Sequence, residues 1–342
     1  MTTPAPAPAE AAIEPDLPII DPHHHVRDRF DGRYLFHDYL ADLASCGHNI
    51  RATVVIESGD MARADGPREL APVGEVEFLN GVAAMFASGK YGPTLACAGI
   101  VGCPDLALGD AVRPAIEACI AAGGGRFCGV RNLLPWHDDP ALRRARTGRK
   151  GAMQDPKFRA GLAALAGYDL SFDAYIYHPQ IKELIDLVRA VPDVRIVVDH
   201  TGGPAGVGPY AGKRDEVFAA WRDDIRALSK CPNVFMKLGG LGLPVMGFGF
   251  GHRNPPPGSQ ELSDAWGRWF TTCIEAFGAE RCMFESDFPP DKDVCSYTVI
   301  WNAFKRTVAG ASAAEKTALF HDTAARAYRL RPPPASADGR KP

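Results

Sequence analysis

The sequence predicts an α/β protein built as a single-domain (β/α)8 TIM barrel, and three observations carry that expectation. Eight short runs rich in apolar and β-branched residues alternate with longer amphipathic stretches, the pattern of βα units around a parallel sheet. The first run is not followed by the glycine-rich turn of a doubly wound, nucleotide-binding sheet. The length of 342 residues suits one large barrel.

Residues 18–23 begin the series and end on a histidine cluster. Residues 52–57 are β-branched up to a terminal acid, and residues 94–101 run through small apolar side chains into Gly99-Ile100-Val101. The fourth run, 127–132, follows Gly123-Gly124-Gly125. That glycine run precedes a strand instead of opening a helix, so it reads as a loop and not as a phosphate cradle. Runs 170–177 and 194–199 flank residues 181–191, whose apolar positions recur every three or four residues and predict a helix. Runs 234–238 and 282–285 complete eight, enough to close a ring.

Hydrophobic residues make up 46% of the chain and charged residues 23%, which supports a sizeable core. No uninterrupted apolar run reaches the length of a bilayer span, so no membrane partner is expected. A net charge of −3 argues against a nucleic-acid partner, which would need a basic face. The expected partner is a small-molecule substrate. The nine cysteines are scattered without a CxxC pair, and Cys97, Cys128 and Cys282 lie in apolar runs, so they read as reduced and structural. The first residues carry neither the basic region nor the apolar core of a secretory signal, and a cytoplasmic location is expected. Residues 1–16 and 331–342 are expected to be disordered tails around a barrel spanning 17–330.

In such a barrel the reactive groups project from the C-terminal ends of the strands, so the residue on which each run stops is informative. The first stops on His23-His24-His25; residues two apart share a side, so His23 and His25 can face the axis while His24 faces away. The fifth stops on Tyr177-His178, the sixth on Asp199-His200, and the eighth on Glu285-Ser286-Asp287. Imidazoles plus one carboxylate are the donor set of Zn²⁺ or a similar divalent ion. One such histidine alone would read as a hydrogen-bonded structural residue. Four such endings, on strands one, five, six and eight, read as convergence.

The segments Ile19-Ile-Asp-Pro-His-His-His25, Asp199-His-Thr-Gly-Gly-Pro204 and Met283-Phe-Glu-Ser-Asp-Phe-Pro289 resemble the amidohydrolase superfamily. Within it, the resemblance is to the amidohydrolase 2 branch of barrel-fold metal-dependent hydrolases, over residues 17–330. It implies that His23, His25 and Asp287 bind a metal, with His178 as a further ligand and His200 beside it as a polarising or proton-transferring group. Binuclear members bridge two ions with a carboxylated lysine or a glutamate at the end of strand four, where this chain has Val130-Arg131-Asn132. One divalent ion is therefore implied, zinc or manganese. Some lactonases of the branch resemble this pattern and work without bound metal, so the resemblance implies an ion without requiring one. The branch includes sugar-lactone and pyrone-dicarboxylate-type lactonases, and neighbouring groups include non-oxidative decarboxylases.

An ion with an open position would lower the pKa of bound water toward neutrality. Asp287 would act as general base. His200 would polarise the carbonyl, or else buttress the Gly202-Gly203-Pro204 turn. Asp21 reads as a partner for an imidazole N–H or as a strand-end cap. Glu57, Arg131, Lys237, Trp136 and His137 are the substrate-binding candidates, Arg131 because a guanidinium matches a carboxylate. The alternative is that Arg131 pairs with Glu57 or Glu285. The long loop 239–260 reads as a lid whose Phe248 and Phe250 shield the substrate, or as a contact between copies in a homo-oligomer. The chemistry expected is opening of a small lactone or related cyclic ester, one that can carry a carboxylate, with amide hydrolysis as a relative. A metal-dependent decarboxylase of an aromatic or muconate-type acid is the second enzyme reading. A non-catalytic ligand-binding barrel is the third, and it requires desolvating four ionisable groups aimed at one point.

Overall fold

The computed structural model describes residues 10–30, 32–143 and 148–330. Eight parallel strands form one sheet in chain order: β1 (Pro18–His24), β2 (Asn49–Ile56), β3 (Leu95–Gly102), β4 (Phe127–Arg131), β5 (Ser171–Ala174), β6 (Arg195–Val198), β7 (Val234–Leu238) and β8 (Cys282–Phe284). Parallel neighbours need a crossover connection. Helices α1 (Phe36–Ser45), α2 (Val73–Ala87), α3 (Arg113–Ala122), α4 (Pro156–Ala164), α5 (Ile181–Ala190), α6 (Arg214–Leu228), α7 (Ser259–Phe277) and α8 (Tyr297–Thr307) ring the sheet. The architecture is the expected (β/α)8 TIM barrel. β1 and β8 close it through one parallel bridge, His24 to Phe288, and two backbone hydrogen bonds. In these the Asp287 amide donates to the His23 carbonyl at 3.0 Å and the His25 amide to the Phe288 carbonyl at 2.7 Å.

Strand side chains alternate between two faces, and the core divides accordingly. Ile20, Val54, Ile56, Val101 and Met283 pack with Tyr328, which plugs the floor of the ring. Their neighbours Ile19, Val55, Ile100 and Phe284 belong to the larger layer beneath the helices. Each fully buried aliphatic side chain stabilises the fold by roughly 1.5–3 kcal/mol. The predicted helix at 181–191 is α5, with Ile181, Leu184, Ile185, Leu187 and Val188 buried. The stretch Arg68–Ala87 is long and apolar enough to cross a membrane by length and composition; in the barrel its α2 portion lies against β3 and α3.

Three features differ from expectation. Residues 10–16, read as tail, are docked: Glu10 accepts from the Ser259 amide at 2.7 Å, and the Ile13 amide donates to Asn302 at 2.8 Å. The Lys305 ammonium donates to the carbonyls of Ile13 and Glu14 at 2.9 and 2.8 Å. Buried polar groups on α8 need partners, and this segment supplies them. Residues 1–9 and 331–342 of the expected tails lie outside the described residues. Second, β5 ends at Ala174 instead of Tyr177, and His178 opens a short turn, His178–Gln180. Third, an unforeseen antiparallel ribbon, Arg27–Arg29 with Gly32–Tyr34, follows β1.

Candidate active site

The site grows from the seam between β1 and β8. β1 is irregular between Asp21 and His24, which separates the directions of Asp21 and His23. Asp21 accepts from the Ser286 amide at 3.0 Å, the Ser286 hydroxyl at 2.6 Å and the Tyr297 hydroxyl at 2.7 Å. Burial pushes its carboxyl up to about 6 in spite of those bonds. It clamps the strand ends together and does not back an imidazole. His24 faces away from the axis, its Nε2 2.8 Å from the Thr53 hydroxyl and its ring stacked on Tyr39.

His23 Nε2 and His25 Nε2 are 3.3 Å apart, and each lies 3.6 Å from Asp287 Oδ1. Their other nitrogens are engaged: His25 Nδ1 is 2.9 Å from the Ile56 carbonyl and His23 Nδ1 2.8 Å from Glu285 Oε2. A carbonyl only accepts, so the His25 proton sits on Nδ1. Assigning the His23 proton to its shortest carboxylate contact leaves both Nε2 lone pairs facing one point, where Arg131 Nη1 also approaches, 3.3 Å from His23 Nε2. Burial, helped by Arg131 and opposed by Asp287, lowers the His25 pKa to about 4, so its ring is neutral. A tetrahedral ion with bonds of about 2.0–2.1 Å holds its donors about 3.3–3.4 Å apart. The triangle of donor atoms therefore fits an ion of zinc's size. Asp287 Oδ2 is buried without a hydrogen-bond partner among the described residues, which also fits a group positioned for an ion or a substrate.

His200 stands across Asp287, with Nδ1 4.0 Å from Oδ2. Glu285 Oε1 holds both the His200 Nδ1 and its amide at 2.9 Å. Burial works against the charged ring, but Asp287 and Glu285 outweigh it and raise the His200 pKa to about 9. Burial likewise opposes charge on Asp287, and His200, His25 and His23 more than offset it, so the carboxylate is held below its usual range. Both residues occupy left-handed backbone, at φ 53° and 50°, a conformation that side chains rarely adopt and that clusters at functional sites. A Cβ at Gly240 would lie 2.2 Å from His200 Nδ1, and one at Gly239 would lie 2.3 Å from the Glu285 carbonyl oxygen. The Gly239-Gly240 pair after β7 is thus required by close approach, a signal the sequence carries.

Several candidates fall elsewhere. Lys237 is fully buried beneath the site, 2.6 Å from Asp173, 3.0 Å from Asp199 and 3.1 Å from His23 Nδ1, so it cannot touch substrate. Arg131 donates to Glu57 Oε1 at 2.9 Å and to the Glu57 carbonyl at 2.7 Å, which is the ion-pair alternative; both residues still line the cavity. His178 accepts from the Ala205 amide at 3.2 Å, and its ring meets Tyr210 edge-on. Donor atoms converge within 4.8 Å in the sets His23, His200, Asp287 and His23, Asp199, Glu285, as they do in the triangle of His23, His25 and Asp287; His178 is in none of these. The early end of β5 carries it away from the axis. His137 bonds the Tyr210 hydroxyl at 3.2 Å and the Trp136 amide bonds Gln180, both outside the cavity lining. Phe248 and Phe250 stack on each other and pack against Trp266 of α7, so they do not cover a substrate; from residues 239–260 only Leu243 reaches the cavity.

The cavity, of about 360 Å³, opens above Asp287 and His200. Arg27, Arg29 and Phe30 of the ribbon line it, as do Tyr175 and Leu243. None of these was singled out in the sequence. The Arg-x-Arg spacing just after the HxH pair is the signal that could have found them.

A barrel with imidazoles at and just after the end of β1, a histidine after β6 and an aspartate after β8 has the site of an amidohydrolase-type enzyme. The chain belongs to the amidohydrolase family, whose model matches residues 20–330. It is 32% identical over 340 residues to the uncharacterised protein y4mH of Sinorhizobium fredii, covering 92% of this chain and 99% of that protein. It is also 32% identical over 190 residues to an L-fucono-1,5-lactonase of Burkholderia multivorans, 54% of this chain and 60% of the lactonase. An amidohydrolase of Burkholderia multivorans solved with bound zinc superposes with a TM-score of 0.68 at 25% identity, covering 92% of this chain and 99% of that one. A candidate 2-pyrone-4,6-dicarboxylic acid hydrolase from Pseudomonas putida shares the fold, with a TM-score of 0.58 at 19% identity over 92% of this chain and 98% of that one.

Proposed function

We propose that this protein is a lactonase, adding water to the carbonyl of a small lactone and opening the ring to a hydroxy acid. One observation carries this reading: His23 Nε2, His25 Nε2 and Asp287 Oδ1 meet within 3.3 to 3.6 Å at the base of a cavity that His200 also lines. The lactonase relatives, matched over about half of this chain, support an ester as the bond attacked. Two nitrogens and one oxygen at this spacing favour zinc, held by His23, His25 and Asp287. When bound, the ion supplies a Lewis acid that acidifies water toward neutrality. Asp287 takes a proton from the attacking water and returns it to the ring oxygen as the carbon–oxygen bond breaks. His200, charged, donates to the carbonyl oxygen as negative charge builds there. The water oxygen enters the new carboxyl group, and ionisation of that acid releases one proton at neutral pH. The nine cysteines, none of them in a disulfide, suit a reducing, cytoplasmic setting.

A panel of lactones followed with a pH indicator tests this. Wild-type protein should acidify the medium, and Asp287→Asn should lower kcat by about 10²–10⁴-fold with an unchanged circular dichroism spectrum. Release of carbon dioxide from an aromatic or muconate-type acid, without lactone turnover, would overturn the reading in favour of decarboxylation.

A further inference from the structure

We propose that Leu133 sets the size limit of the substrate. It is the partition between the catalytic cavity and a second, outer cavity at the same end of the barrel, and it keeps an apolar substituent on the lactone from reaching across. The proposal deepens the lactonase reading and rests on it for the bond attacked. β4 ends at Arg131, so Leu133 belongs to the loop that leaves the strand at its C-terminal end, where the reactive groups gather. Arg131 lines the catalytic cavity, Asn132 lines the outer one, and Leu133 lines both. Among the described residues it is the one that the two linings share, which places it between them.

The outer cavity is the larger, about 560 Å³ against about 360 Å³, and its lining decides what suits it. Asn132 donates to the Pro104 carbonyl at 3.0 Å and accepts from the Leu106 amide at 2.9 Å, Asp105 accepts from the Ala107 amide at 3.0 Å, and Arg149 pairs with Asp155. These polar side chains are engaged with the protein itself, whereas Ala107, Ala152 and Phe158 offer carbon surface. An alkyl chain gains by leaving water for such a wall and takes no hydrogen bond away from it. In the native protein Leu133 stands in the way, so the catalytic cavity favours a ring without a long substituent. Leu133 is itself half-buried, so shortening it opens the partition without emptying a fully enclosed part of the core.

Binding measured apart from turnover separates this proposal from the lactonase reading. The ring amide 2-pyrrolidinone and its 5-butyl derivative are titrated by calorimetry into wild-type protein supplied with zinc, and into Leu133→Ala, Leu133→Val and Leu243→Ala. Leu243 lines the catalytic cavity alone, so its variant controls for simple enlargement. The lactones of the same two shapes, γ-butyrolactone and γ-octalactone, are assayed in parallel. Wild type should bind the bare ring at least as tightly as the butylated one. The affinity ratio should shift toward the butylated ring by about tenfold or more in Leu133→Ala, by less in Leu133→Val, and not in Leu243→Ala; kcat/KM for the lactones should follow the same order. If that binding pattern holds and no lactone is turned over, the partition stands and the lactonase reading fails. An unchanged ratio in Leu133→Ala, an equal shift in Leu243→Ala, preference for the butylated ring in wild type, or no binding of either lactam would overturn the proposal, even if lactones are hydrolysed.

Discussion

Glu285 bridges the two histidines that matter most: its Oε2 lies 2.8 Å from His23 Nδ1 and its Oε1 2.9 Å from His200 Nδ1. One carboxylate thereby orients the imidazole that we propose holds a metal and a charged one at once. Burial alone would raise its pKa, but His200 and His23 hold it well below the usual range, so it stays ionised. Carboxylates behind ligating histidines set the tautomer and the ring direction.

Glu285→Gln keeps the shape of that bridge and removes its charge. It should weaken metal binding by about 10–100-fold, read by competition with a chelator. It should also reduce turnover beyond what metal loss explains, because His200 loses a partner that favours its charged form.

His178 provides a contrast. Its ring lies against Tyr210 and takes the Ala205 amide, so His178→Asn should leave the metal content of purified protein unchanged. His25→Asn should abolish or sharply lower it. Elemental analysis of both variants decides the matter.

The fold itself should weaken in acid. His48 donates from Nε2 to the Thr298 carbonyl, and its Nδ1 faces the Lys305 ammonium at 3.0 Å. A second ring proton would be buried against that cation. Burial first, then Lys305, lowers the His48 pKa to about 4, and burial does the same for His178. The unfolded chain binds protons at these sites more readily than the native one, so stability is complete above about pH 6.5 and is lost as pH falls toward 4. The loss reaches at most ~3 kcal/mol for each histidine. Tm measured from pH 7.5 to 4 should decline through that window, and His48→Asn should flatten part of the decline.

The strands and the HxH pair were legible in the sequence because both follow from local alternation: a β-branched run and residues two apart define a strand face without reference to the rest of the chain. All eight strands appear where that pattern places them. Three residues of strand length were enough to misplace His178, since β5 stops at Ala174 and the chain has turned by residue 178. Lys237 defeated local reasoning for a different reason, and for the same reason Arg131 left two readings open. A cation at a strand end faces substrate or pairs inward according to acids on other strands, here Asp173, Asp199 and Glu57. Ribbon residues Arg27 and Arg29 were passed over because three-residue strands leave too little periodicity to recognise.

We propose that one ion is held at the β1–β8 seam. Anomalous diffraction at the zinc edge, from crystals of protein containing one equivalent of zinc, locates it. A single peak is predicted about 2.0–2.2 Å from His23 Nε2, His25 Nε2 and an Asp287 oxygen, with none beside His178. A peak at the His178–Tyr210–His137 cluster, or no peak at the seam in protein that hydrolyses lactones, would contradict it.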